Sequence, residues 1–239
     1  MTGRSRRGTN GVGLAARYAF PPNRLRYCGQ PAFISALRSG RRRELERELK
    51  KFTAHYGYLC LIAAENGLEP FDMRVVRAFW TGNSLLENVS TAALRRFIVR
   101  MIKDRARAGK LVENLPPGAL PHHSFNPLYL NFVTEKVARS VRNYDSCCVS
   151  WGRVLGLRGK SATVLRNRIA RESGRFVLRQ KADAVALEKC GIRLVGPLKK
   201  GDVVSVHWGV AIERLGPAQS AALERYTRKN LDAINSTLK

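Results

Sequence analysis

"CCVSWGRVLGLRGKSATVLRN", residues 147–167, is where the chain changes its grammar. Short runs rich in valine and leucine, broken by Gly159-Lys160, read as β-strands. "RFVLRQ" (175–180), "GIRLV" (191–195) and "DVVSVHW" (202–208) follow, each flanked by Gly, Pro or Asp. Short strands at about ten-residue spacing predict a small barrel. Pro217 opens a closing helix on which Leu223, Thr227, Leu231, Ile234 and Leu238 share a face.

Upstream the apolar period is that of helices. Leu45, Leu49, Phe52, Tyr56, Leu59 and Ala63 form one stripe that starts near Glu44 and ends at Asn66-Gly67. Asp72 caps a second helix with Val75, Val76, Phe79 and Trp80 facing inward. Ser90 caps a third, with Leu94, Phe97, Ile98, Met101 and Ile102 on one side and Arg95, Arg96, Arg100 and Lys103 on the other. Gly109 is its expected stop. The proline-rich "LPPGALPHHSFNP" (115–127) leads to a weaker helix over roughly 129–142, with Leu130, Val133, Val137 and Val141 inward. "FPPNRLRYCGQP" (20–31) reads as an ordered irregular segment. The expected fold class is α+β. A basic disordered arm (1–19) precedes an all-helical domain (20–143), then a small OB-like β-barrel with a C-terminal helix (144–239).

Composition narrows the function classes. With 239 residues and 44% hydrophobic side chains, the chain can bury a core. No stretch of about 18 apolar residues predicts a membrane span. The N-terminus has no apolar signal core, so the expected location is cytoplasmic and no membrane partner is expected. Five cysteines at irregular spacing, with no C-x-x-C pair, argue against a disulfide framework and a structural zinc site. Lys and Arg outnumber Asp and Glu by 43 to 18, a net charge of +25. Such a field attracts polyanions; arginine heavily outnumbers lysine, and the codon bias of a GC-rich genome accounts for the charge equally well.

Two motifs carry chemistry. "CCVSWGRV" (147–154) and "GDVVSVHWGVAI" (201–212) place Cys147 and His207 at the two ends of the barrel region. The pair resembles the small nickel–iron hydrogenase maturation chaperones of the HypC/HupF type. Those proteins begin Met-Cys-Leu-x-Ile-Pro-Gly-Arg/Lys-Val and later carry Gly-Asp-x-Val-x-Val-His-x-Gly-x-Ala-Ile. Cys147 falls at the family cysteine, His207 at the family histidine and Trp151 at the proline. Cys147 is internal here, and an Arg-rich insert near 166–181 lengthens the loop between the motifs. The resemblance covers about 145–225. It implies a five-stranded barrel whose Cys147 thiolate and His207 imidazole hold or guide an Fe(CN)2CO unit. The expected partners are a hydrogenase large-subunit precursor and a maturation scaffold, and the expected role is that of a carrier and not an enzyme. A thiolate is a soft ligand for low-valent iron, and an imidazole can complete the site. The first 144 residues resemble bacterial proteins of unknown function, through "ARYAFPPNRLRYCGQP", "PFDMRVVRAFWTGNSLL" and "PPGALPHHSF".

The competing expectation for His207 is an inert, hydrogen-bonded core histidine. His122 and His123 are neighbours whose side chains point opposite ways on an extended chain, so they would seldom bind one metal together: one is expected exposed, the other packed. Cys28 becomes a reactive thiol if arginines such as Arg26 lower its pKa, and is otherwise buried. Cys60 reads as core, Asp72 as a cap and Trp80 as packing, while Asn83 breaks the helical pattern and is expected to line a pocket. The alternative function is a nucleic-acid (RNA or DNA) binding module that uses the basic arm and the arginine-faced third helix. Its weakness is the scarcity of aromatic residues on the barrel strands, where Trp151, Phe176 and Trp208 stand alone.

Overall fold

The computed structural model describes residues 11–133 and 136–238. Its first part is helical: α1 (Gly11–Arg24), α2 (Ala32–Ser39), α3 (Arg42–Lys50), α4 (Thr53–Ala64), α5 (Met73–Thr81), a 3-10 turn at Ser84–Leu86, α6 (Thr91–Met101), α7 (Arg105–Glu113), the one-turn α8 (Phe125–Leu128) and α9 (Val141–Cys147). The strands follow: β1 (Ser150–Arg158), β2 (Ser161–Glu172), β3 (Arg175–Ala186), a small hairpin of β4 (Glu188–Lys189) and β5 (Ile192–Arg193), then β6 (Val203–His207) and β7 (Val210–Leu215). The last element is α10 (Pro217–Asn235).

The architecture is the expected α+β one. The five longer strands close a barrel in the order β1-β2-β3-β7-β6, with β6 returning to β1. Every pairing is antiparallel except β3 with β7, so the barrel is mixed. Gly152 lets β1 lie close on β2: a Cβ there would stand 2.2 Å from the Leu165 carbonyl oxygen. Val154, Val164, Val185, Val204 and Val206 fill the interior.

Five local expectations need correction. Residues 11–19, assigned to a disordered arm, form most of α1, where Leu14, Ala15, Ala16 and Tyr18 are buried; residues 1–10 lie outside the described residues. The same helix runs through Pro21 and Pro22 into the segment read as irregular. Prolines signal a break, and Pro21 and Pro22 each remove one i→i−4 hydrogen bond as the helix ends at Arg24; the Tyr18 carbonyl, four residues before Pro22, bonds His207 Nδ1 instead. The long stripe from Glu44 is two helices, α3 and α4, hinged at Lys51-Phe52. Phe52 leaves the helical backbone to pack edge-on against Phe33 at 5.0 Å.

Gly109 stops nothing, since it lies inside α7. Among the described residues the weak helix over 129–142 is not formed: Asn131 and Phe132 have φ of 49° and 64°, left-handed values that end a right-handed helix. The helix starts later instead, at α9, where the Ser140 hydroxyl accepts from the Asn143 N–H.

The two halves share one core. Val149, Trp151, Val210, Ile212 and Leu215 from the barrel side join the cluster that holds Tyr18, Phe20, Phe79 and Trp80. Helix α1 lies against β6–β7. The Tyr18 hydroxyl is 2.9 Å from both Ser205 Oγ and Glu213 Oε1, and Arg77 of α5 pairs with Glu213 at 3.3 Å. Buried polar groups at a seam need such partners, and this network supplies them.

Candidate metal centre

Three elements bring the reactive side chains together. His207 is the last residue of β6, and the hairpin turns through Trp208 and Gly209, both at positive φ (49° and 74°). Two central residues at positive φ match the twist of a tight hairpin. A tryptophan pays roughly 1–2 kcal/mol for that conformation. Its backbone N–H donates to the Ser146 carbonyl at 2.9 Å, and its ring packs on Tyr27 at 4.9 Å. That bond ties the hairpin to the end of α9, so Cys147 comes to rest beside His207. The two motif residues, 60 positions apart, therefore meet.

The third group comes from the helical segment. The His123 N–H donates to the Phe79 carbonyl at 2.8 Å, which pins the 121–125 loop to α5. Its ring stacks on Trp80 at 4.3 Å and stands edge-on to His207 at 5.1 Å. His123, Cys147 and His207 each offer a ligand atom, and these atoms all lie within 4.8 Å of one another. All three residues are buried.

His207 is oriented as a ligand would be. Its Nδ1 lies 2.8 Å from the Tyr18 carbonyl oxygen. A carbonyl only accepts, so Nδ1 carries the proton and Nε2 keeps its lone pair. Metal-binding histidines commonly donate their second nitrogen to such a partner. Nε2 has no hydrogen bond. The inert-histidine expectation is thus half met, because one nitrogen is satisfied and the other faces the cavity.

That cavity has a volume of about 40 Å³. Around it are six buried polar atoms with no hydrogen-bond partner: two on His55, and one each on Trp80, His123, His207 and Trp208. Native interiors leave few such atoms, and each orphan costs about 1–3 kcal/mol. A metal ion with its ligands would satisfy several of them. Bond lengths of about 2.0–2.3 Å put tetrahedral donors roughly 3.4–3.6 Å apart. The widest of the present separations, at most 4.8 Å, must shorten by about 1 Å to reach that spacing. The donor set fits a soft or borderline ion such as iron, zinc or copper, and does not suit calcium or magnesium.

Burial keeps every group at the centre uncharged. Desolvation holds His207 down to about 4, partly offset by the Tyr18 and Cys147 carbonyls. Desolvation, reinforced by His207, holds His55 to about 3, and desolvation again holds His123 well below the ordinary 6.5. The Cys147 thiol is pushed well above its ordinary value, first by desolvation and then by Cys28 and Cys148; the Trp208 indole N–H opposes the shift. A divalent ion would therefore displace a proton from Cys147 and none from the imidazoles.

The remaining candidates resolve plainly. His122 and His123 do point opposite ways, but both are buried: His122 turns from the cavity to Ser124 Oγ at 2.9 Å, and Asn230 supports that hydroxyl at 3.0 Å. The pair sits in a turn, closed by the Phe125 N–H on the His122 carbonyl, and not on the extended chain that the expectation assumed; neither histidine is exposed, and one of them reaches the site. Cys28 lines the same cavity, yet burial pushes its thiol up to about 11, which opposes the reactive reading. Cys60 is half-buried. Asp72 caps α5 through the Arg74 N–H, as expected. Asn83 caps the 3-10 turn, accepting from the Leu85 N–H, and donates to the Arg74 carbonyl, so it lines none of the cavity. Trp80, read as packing, is the plate on which His55, His123 and His207 are arranged, at 5.2, 4.3 and 5.3 Å. His55, in the first turn of α4, carries no motif that would mark it in the sequence.

Among the described residues no helix is long and apolar enough to cross a membrane. No curated protein and no solved structure matches the chain. One family model matches residues 7–239, across helical segment and barrel alike. The chain belongs to that family, DUF6390, a family of unknown function.

Proposed function

We propose that the protein is a metallocentre accessory factor that holds one metal ion on His123, Cys147 and His207. The supporting observation is the cluster of unpartnered buried nitrogens gathered with a thiol around one cavity. The resemblance of the two barrel motifs to hydrogenase maturation chaperones makes iron the favoured ion. It also makes a hydrogenase large-subunit precursor, or an iron-loading scaffold, the favoured partner. The meeting of Cys147 with His207 supports that reading.

Burial sets a condition on any handover. His207 is 1% and Cys147 7% exposed, so a partner can take the ion only when the β6–β7 hairpin and the end of α9 part. Local openings of this kind cost less than global unfolding and are commonly used at functional sites. Until then the Tyr18 carbonyl orients His207, the Ser146 bond holds Cys147 in place, and Phe52, Phe79 and Phe132 line the cavity.

The nucleic-acid alternative draws on the net charge and on exposed Arg95, Arg96 and Arg100 of α6. The barrel strands offer it little to stack bases on, because Trp151 and Phe176 are buried and Trp208 packs on Tyr27. The deciding experiment deletes the gene in a host that makes a nickel–iron hydrogenase and complements with wild type or Cys147→Ala. The proposal expects immature large subunit unless wild type is supplied. Normal hydrogenase activity in the deletion strain would refute the hydrogenase partner. RNA capture at physiological salt that is indifferent to Cys147→Ala would transfer the case to the alternative.

A further inference from the structure

Resting on the metal reading, we propose that the centre binds a small monoanion of one to three heavy atoms at an open metal position, with His55 as its hydrogen-bond donor and not as a metal ligand.

Three protein donors leave a four-coordinate ion one position short. Room exists for what fills it. A cavity of about 40 Å³ exceeds the roughly 10–15 Å³ that one water needs, and falls far below a pocket for an organic substrate. The charge count selects an anion. A divalent ion with one thiolate and two neutral imidazoles carries a net +1, and an isolated charge buried among Phe52, Phe79 and Phe132 is costly. One monoanion brings the centre to neutrality.

His55 identifies the other wall of the ligand site. It is 7% exposed, lines the cavity, and finds a hydrogen-bond partner for neither ring nitrogen. It stands outside the group of three whose ligand atoms lie within 4.8 Å. Its ring is held between Phe52 at 6.4 Å and Phe79 at 5.5 Å, with Trp80 at 5.2 Å. None of these neighbours accepts a hydrogen bond from it. A neutral imidazole always has one N–H, so His55 brings a donor to a site whose own acceptors, His207 Nε2 and the Cys147 sulfur, are the proposed metal donors. The Trp80 indole N–H, also unpartnered, is a second donor on the same cavity.

The test uses the full chain loaded with cobalt(II) and titrated with azide, read by visible absorption. Wild type should show a saturable change at one azide per cobalt. His55→Leu should keep cobalt affinity within about twofold and weaken azide by about tenfold or more, the effect of one lost hydrogen bond to a charged group. His55→Gln, which retains an N–H donor and guards against a folding defect in the leucine variant, should recover most of that affinity. An azide-insensitive spectrum overturns the inference while the metal reading stands. A tenfold loss of cobalt affinity in both His55 variants also overturns it, because His55 is then a ligand. Failure of wild type to bind cobalt overturns the metal reading and this inference together.

Discussion

Nδ1 of His207 stands 2.8 Å from the carbonyl oxygen of Tyr18, a residue 189 positions earlier in the chain. The bond joins the barrel to α1 and leaves Nε2 bare toward the cavity. Because the partner is backbone, no side-chain substitution at position 18 removes it. The orientation of the candidate ligand is a property of how α1 packs on β6.

The ligand set predicts a clear ordering among variants. Cys147→Ala and His207→Ala should each lower metal affinity by more than the 10–100-fold that outer-shell changes cost. His123→Ala should cost at least about tenfold. His122→Ala, its neighbour, should leave metal affinity within about twofold while losing about 1 kcal/mol of stability with its Ser124 bond. Competition titration against a chromophoric chelator measures all four. Equal losses for His122→Ala and His123→Ala would contradict the assignment.

Acid should unfold the metal-free protein well before its carboxylates titrate. Burial keeps His55 and His122 near 3, His207 near 4 and His123 well below 6.5, the ordinary value to which all four return on unfolding. Below pH 6.5 the unfolded chain binds more protons, so stability present above that pH is lost as pH falls toward 4. Each histidine contributes up to about 1.4 kcal/mol per pH unit in that window. Urea midpoints measured at pH 7, 6 and 5 should fall steeply. A midpoint unchanged between pH 7 and 5 would show that the rings are not buried neutral.

The shared core predicts that residues 144–239 do not fold alone. Val149, Trp151, Val210, Ile212 and Leu215 pack on the helical side, and the isolated fragment would expose them to water. Circular dichroism of the fragment should show no cooperative thermal transition. A sharp two-state melt would contradict the single-core description.

The barrel was legible in the sequence because its cues are local. Alternating Val and Leu, Gly breaks and the Pro217 helix start appear within a few residues of one another. The helices marked by stripes were equally plain, with Ser90 and Asp72 as their caps. Helix α1 was hidden because it is buried nearly all round and ends in two prolines, so it shows neither an amphipathic stripe nor a clean stop. At the site, Cys147 and His207 stood out through their motifs. His123 and His55 did not, since their roles depend on Trp80 and on the docking of α4 and α5 against β6, contacts that no spacing along the chain encodes.

The most direct test of the central claim is X-ray absorption at the edge of the metal bound by the purified full-length protein. The account predicts one sulfur at about 2.3 Å and two nitrogens of imidazole type at about 2.0–2.1 Å, with the sulfur lost in Cys147→Ala. A first shell without sulfur, or one unchanged in Cys147→Ala, would contradict it.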